Sequence, residues 1–132
     1  MNIALQTTSS DRNKLLVAAF YKDVFIGHDL TRLDDFVTEG YIQHNPHLPN
    51  GRTAMRAFLS SFYQKMPECQ FTVSRLIADD DLVVAHTLFQ KNREDRGTAI
   101  ADIFRIVDGR IAEHWDVKED VPETSANGNP VV

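Results

Sequence analysis

Residues 82–117 read LVVAHTLFQKNREDRGTAIADIFRIVDGRIAEHWDV. Three apolar runs, 82–90, 98–107 and 110–117, are separated by a polar loop at 91–97 and by Asp108-Gly109. An Asp-Gly pair between apolar runs is the signature of a two-residue type I′ hairpin. The middle run carries Asp102 among Ala99, Ile100, Ala101, Ile103 and Phe104. A lone buried charge is very costly, so this carboxylate must be neutral, paired, or turned toward something other than packed core.

Register arithmetic names its neighbours. With Asp108-Gly109 as the turn, Val107 faces Arg110, Phe104 faces Glu113, Asp102 faces Trp115 and Ile100 faces Val117. A symmetric loop centred on Glu94 sets His86 opposite Asp102, although a bulge would shift the pairing by one. One face then holds Val84, His86, Leu88, Ile100, Asp102, Phe104, Glu113, Trp115 and Val117. The other holds Val83, Ala85, Thr87, Phe89, Ala101, Ile103, Arg105, His114 and Asp116. Directly opposed side chains lie roughly 4.5–5.5 Å apart at Cβ, so a His86–Asp102 hydrogen bond is within reach. Burial and a nearby imidazolium act on such a carboxyl group in opposite directions, which can poise it for proton transfer. The same pair also reads as a structural one, and Trp115 as plain core.

Upstream, residues 1–10 read as a frayed start. Ser10 is placed to cap a helix over 11–27, with Asp11 in its first turn, Leu16, Phe20 and Val24 on one stripe, and Gly27 near its end. Asp29 caps a second, short helix with Leu30, Leu33, Phe36 and Val37 on its apolar face, ended by Gly40. The segment YIQHNPHLPNG, 41–51, has two prolines and Asn50-Gly51, which exclude a long regular element. Thr53 caps a third helix bearing Met55, Phe58, Leu59, Phe62 and Tyr63, stopped by Pro67. From Cys69 the period falls to two, with Phe71, Val73, Arg75 and Ile77 on one side, and Asp79-Asp80-Asp81 forms a turn. Helices first and strands afterwards imply an α+β domain over 11–120, three helices packed on one face of an antiparallel sheet that curves around them. Residues 121–132 read as a loosely held tail.

At 132 residues, 42% apolar and 25% charged, the chain fits one soluble domain with a real core. A net charge of −5 with scattered Lys and Arg speaks against nucleic acid as a partner. The one cysteine, Cys69, has no internal disulfide partner, which suits a reducing compartment. No apolar run approaches the ~20 residues of a membrane span. The opening MNIALQTTSS lacks the pattern of a signal peptide, so a cytoplasmic protein is expected. His44 and His47 flank Asn45-Pro46, where no helix aligns them and no third ligand stands nearby, so no metal site is expected. Tyr41, His44 and Asn45 either form the mouth of a cavity or make a self-bonded turn.

Two stretches, YIQHNPHLPNGR followed by a helix and the closing DIFRIVDGRIAEHWDV, resemble the SnoaL-like polyketide cyclases. That family belongs to the superfamily sharing the fold of nuclear transport factor two and ketosteroid isomerase. The resemblance implies a conical half-barrel, its strongly curved antiparallel sheet wrapped around helices, with a ligand cavity at the open end. It implies an intramolecular aldol cyclisation or a related isomerisation by acid–base chemistry, without cofactor or metal, on a polyketide-like or other small apolar ligand. Asp102 matches the family's acid–base position and His86 a pocket histidine. Tyr41, His44 and Asn45 match pocket-lining positions, and Trp115 the tryptophan of the closing strand, with Phe104 beside Asp102 on the same face. An isomerase of this fold would add a second acid and a tyrosine, for which Tyr21, Tyr41 and Tyr63 are the candidates. A non-catalytic binding module and a dimeric interaction module are the alternatives. A homodimer through the open sheet face, with Ala101, Ile103 and Phe89, is expected in each case.

Overall fold

The computed structural model describes residues 7–132. The first helix, α1 (Ser9–Phe20), continues without a break into a π-helical turn, Tyr21–Ile26. Its cap is Thr8, two residues earlier than Ser10. The Thr8 hydroxyl accepts the Asp11 N–H at 3.1 Å, and the Asp11 carboxylate accepts the Thr8 N–H at 3.3 Å. This reciprocal pair satisfies two otherwise orphaned donors. Of the expected frayed start, residues 1–6 lie outside the described residues.

After Asp29, whose carboxylate accepts the Thr31 N–H at 3.0 Å, a 3₁₀ turn (Leu30–Arg32) leads into the one-turn helix α2 (Leu33–Phe36). The chain then departs from the expected pattern. Gly40 does not end a helix: Val37–Gln43 is a strand, β1, paired in parallel with the last strand. Four expected strands become five, and the sheet is mixed rather than purely antiparallel. Val37 and Tyr41 are buried while Thr38, Glu39 and Gly40 are not, so β1 carries too few inward apolar residues to announce itself. Gly51, at φ 96°, rather than Thr53, stands at the start of α3 (Arg52–Lys65).

The remaining strands are β2 (Gln70–Asp79), β3 (Leu82–Gln90), β4 (Thr98–Val107) and β5 (Arg110–Asp120), in the order β1-β5-β4-β3-β2. The sheet remains open, with three helices against one face in an α+β arrangement. Val17, Phe20, Val24, Leu33, Val83, Ala85, Phe104 and Ile111 meet in its concavity, all but excluded from solvent. Among the described residues no helix is long and apolar enough to cross a membrane.

Two bulges and one loop reset the expected register. In β2 the irregularity between Val73 and Arg75 turns Leu76 and Ala78 into the core and sends Arg75 and Ile77 outward. In the last hairpin, Asp108 (φ 49°) and Gly109 (φ 75°) form the expected turn. A bulge between Arg105 and Ile106 then slides every later pair by one. Asp102 therefore faces Asp116 rather than Trp115, and Phe104 faces His114 rather than Glu113. Across the 91–97 loop Asp102 faces Ala85, and His86 faces Ala101. Gly97, at φ 90°, lies so close beneath the Phe89 carbonyl that a Cβ would sit 2.4 Å from its oxygen, which closes the loop one residue away from the symmetric pairing. Because side chains alternate with period two, both one-residue shifts exchange faces. His114 and Asp116 join Asp102 inside, whereas His86 and Trp115 leave. Phe89, expected on the open face, lies inside as well.

Candidate active site

Asp102 is buried, 7% exposed, and both of its oxygens are engaged. Tyr21 donates its hydroxyl hydrogen to Oδ2. His114 Nε2 lies 2.7 Å from Oδ1. Tyr21 is carried in by the π-helical turn that closes the first helix, a distortion common where a helix must aim a side chain. Burial first, and then the negative charge of Asp102, hold the Tyr21 hydroxyl well above its ordinary pKa of 10.0, so it remains a donor.

The hydrogen-bond network fixes the tautomer of His114. The backbone N–H of Asn45 donates to Gln43 Oε1 at 3.0 Å, which establishes that atom as the acceptor end of the amide. The opposite end, Nε2, donates to the Tyr41 hydroxyl at 2.9 Å. His114 Nδ1, 2.8 Å from the same Oε1, must therefore carry a hydrogen. A single proton remains for the line between His114 Nε2 and Asp102 Oδ1. On the nitrogen it makes an imidazolium–carboxylate pair, and on the oxygen an imidazole–carboxylic acid pair. The pair sums to zero charge in both cases.

Asp116, directly opposite Asp102, accepts from Asn45 Nδ2 at 3.0 and 3.3 Å, with Lys118 Nζ 3.9 Å away. The Asn45 side-chain oxygen in turn accepts the His47 N–H at 2.9 Å. One short segment, Gln43 to Asn45, thus orients the partners of both aspartates. Asp102, His114 and Asp116 offer ligand-capable atoms within 4.8 Å of one another. A cation held there would have to displace the His114–Asp102 bond, so the set fits proton transfer better than metal ligation.

These groups form one wall of a cavity of about 170 Å³. The other wall is apolar: Phe25 from the π-helical turn, Met55, Phe58, Leu59 and Phe62 from α3, and Phe71 and Phe89 from β2 and β3. Of the residues expected at the site, Asp102, Tyr41, Asn45 and Phe104 line this cavity together. His44, His86 and Trp115 do not. His44 lies on the outer side of the sheet, stacked on Trp115 at 4.8 Å and 3° and 2.7 Å from Glu113 Oε2. His86 also lies outside, with its Nδ1 against the Arg75 guanidinium. Of the two alternatives set for Tyr41, His44 and Asn45, each holds in part: Asn45 binds backbone and, with Tyr41, lines the cavity, while His44 stands outside it.

The sequence reading misses Gln43, puts His114 and Asp116 on the opposite face, and offers Tyr21 only as one of three candidate tyrosines. His114 and Asp116 share the alternation of β5, and the one-residue bulge decides their face. Gln43 is a polar residue next to a loop, with no pattern of its own.

Fold and site together define a small α+β cavity protein with a buried acid–base cluster on a half-open sheet. Residues 17–114 match the SnoaL-like domain, and the chain belongs to that family. No curated protein matches the chain in sequence. The fold is shared with TsrD from Streptomyces laurentii at a TM-score of 0.72 and 23% identity, over 85% of this chain and 91% of that one. It is shared with a provisionally named polyketide cyclase from Acidithiobacillus ferrooxidans at 0.73 and 19%, over 85% and 91%. An NTF2-like protein of unknown function from Mesorhizobium loti aligns at 0.71 and 20%, over 87% and 97%.

Proposed function

We propose that the protein is an acid–base enzyme working without a cofactor, which enolises a carbonyl substrate in its cavity, in an intramolecular aldol cyclisation or a related isomerisation. Asp102, as the carboxylate of the imidazolium–carboxylate form, takes the proton from carbon. The observation that carries this is the Asp102–His114 pair, 2.7 Å apart, held at the far histidine nitrogen by Gln43 and facing an apolar space.

Each part of the wall has a task. Asp102 accepts the carbon-bound proton while Tyr21 and His114 hold its two oxygens in place. Tyr41 supplies a donor for the enolate oxygen: its hydroxyl accepts from Gln43 Nε2 and, among the described residues, gives its own hydrogen to no protein acceptor. Burial, and then the charge of Asp102, raise its pKa above the ordinary 10.0, so that hydrogen stays in place. A fixed donor aimed at developing oxyanion charge in a dry site is among the largest catalytic effects available. The enolate carbon then attacks a ketone, a C–C bond forms, and the proton held by Asp102 returns to the new alkoxide. The balance is one proton off carbon and one onto oxygen. His86, offered by the resemblance as the histidine partner, gives way in this proposal to His114.

Exchange of the carbon-bound proton of benzoylacetone into D₂O, followed by ¹H NMR, tests this without the natural substrate. Asp102→Asn is expected to lower the enzyme-dependent rate by about 10²–10⁴-fold with the circular dichroism unchanged. An unaltered rate would sink the assignment, and binding of benzoylacetone without exchange by the unmodified protein would favour a pure binding module. The companion proposal is a homodimer through the outer sheet face. There Ile103, Trp115 and Ala101 are half-buried, and Ile77 and Val117 remain 59% and 68% exposed. Sedimentation at micromolar concentration is expected to give a dimer, and a monomer would refute it.

A further inference from the structure

We infer that the substrate of this cavity is an uncharged carbonyl compound whose apolar body is planar and about the size of one six-membered ring. The carbonyl rests on the acid–base function proposed above. The size, shape and charge rest on the cavity alone.

Size follows from volume. A cavity of about 170 Å³ is close to the roughly 150 Å³ that suffices for benzene and well below the ~300 Å³ at which pockets for drug-sized ligands begin. Several fused rings exceed that space and would have to project out of it. Shape follows from the wall. Phe25 and Phe71 stack at 4.9 Å and 18°, Phe71 meets Phe89 at 5.0 Å, Phe89 meets Phe62 at 5.6 Å, and Phe62 meets Phe58 at 5.6 Å. This unbroken row of rings crosses from the first helix over the sheet to α3, and it faces the Asp102–His114–Asp116 wall. A flat π-face laid on it meets partners at the spacings the rings already use among themselves. Phe58 and Phe62, both from α3, end the row.

Charge follows from the opposite wall. Asp102 and His114 share one proton and sum to zero, and Asp116 has Lys118 3.9 Å away. No unbalanced charge is left to receive an ion, so a ligand of either sign would lose its water without gaining a counter-charge. What the wall offers is the Tyr41 hydrogen, which suits one neutral carbonyl oxygen.

Isothermal titration with benzoylacetone, naphthoylacetone and anthroylacetone, in that order of ring number, tests size. Each added ring is expected to weaken binding about tenfold or more. Anthroylacetone binding as tightly as benzoylacetone, and displaced by it, would overturn the size limit. Benzoylacetate, the anionic analogue, is expected not to bind, and affinity equal to benzoylacetone would overturn the charge assignment. Phe58→Ala, which removes the ring at the end of the row, is expected to restore naphthoylacetone; the unmodified protein decides the matter should that variant not fold. The ring series repeated on Asp102→Asn separates the two proposals. A size order kept while exchange is lost supports both. Exchange absent from the unmodified protein with the size order intact refutes the acid–base function alone, and equal binding and exchange of all three diketones refutes the size limit alone.

Discussion

The sheet carries a histidine–carboxylate pair on each of its faces, and both measure 2.7 Å. Inside, His114 meets Asp102 with both side chains 9% exposed. Outside, His44 meets Glu113 with exposures of 41% and 15%. The chemistry is the same and the surroundings are not. The inner pair has Tyr21 and Gln43 filling its remaining positions, and an apolar cavity beside it. The outer pair shares Glu113 with Arg105 at 2.6 Å and lies under Trp115, open to water on one side. Distance therefore says little about what such a pair does. Water and salt weaken the outer one, whereas the inner one has no alternative partner once it is broken.

The largest effect separating the two comes from removing a histidine. His114→Ala leaves the Asp102 carboxylate buried with one donor fewer, and truncating one member of a buried pair typically costs about 3–5 kcal/mol. Urea denaturation at neutral pH is expected to show that loss, and a change no larger than that of His44→Ala would show that the inner pair is not held dry. Gln43→Ala comes next. It strips the acceptor from His114 Nδ1 and the donor from Tyr41, and a buried polar group left unsatisfied costs about 1–3 kcal/mol. The same variant is expected to slow benzoylacetone exchange, because both the proton-sharing pair and the oxyanion donor lose their orientation. A stability loss with exchange untouched would refute that linking role.

The inner pair also shows how far the sequence can be read. Asp102 was conspicuous because a carboxylate among Ile100, Phe104 and Ile103 demands an explanation, and its strand, its hairpin turn and its inward face were all legible. The α+β layering was legible too, from the helical stripes before Pro67 and the period of two after Cys69. The histidine partner was not. Choosing between His86, Trp115 and His114 depends on two shifts of a single residue, the bulge after Arg105 and the tight closure at Gly97. A bulge changes the count of residues without changing their character, so alternation gives no sign of it. Strand β1 was hidden for a different reason: Glu39 and Gly40 are poor strand formers, and its parallel pairing with β5 is a tertiary choice.

The tyrosines extend the comparison to alkaline pH. Tyr21 and Tyr41 on the inner side, and Tyr63 on the buried side of α3, are all shifted above the ordinary 10.0 chiefly by burial. They are the only three tyrosines of the chain. A hydroxyl whose folded pKa is raised contributes stability that is complete below its unfolded pKa and is lost as pH rises beyond it. Absorbance at the tyrosinate band is therefore expected to stay flat past pH ~10 and to rise only together with unfolding followed by circular dichroism. Early tyrosinate absorbance in a folded protein would show that a hydroxyl assigned as a fixed donor is wet.

The smallest expected effect belongs to the outer pair. Hydrogen bonding from His44, followed by Arg105, holds the Glu113 carboxyl below its ordinary value of 4.5. A carboxylate with a depressed folded pKa contributes stability that is present above its unfolded pKa and is lost as pH falls through the folded one. Glu113→Gln removes that contribution without emptying the site, since the amide still accepts from Arg105. The variant is expected to fall slightly behind the parent in urea midpoint at neutral pH, and the gap is expected to close as pH falls through the depressed folded pKa of Glu113. Added salt should narrow the gap at neutral pH, because both partners are open to counter-ions. Benzoylacetone exchange should not change at all, the outer face being separated from the cavity by the thickness of the sheet. A Glu113→Gln variant that lost exchange while keeping its stability would mean that charge on the outer face reaches Asp102 through the β4–β5 pair, and the division between the two faces would not hold.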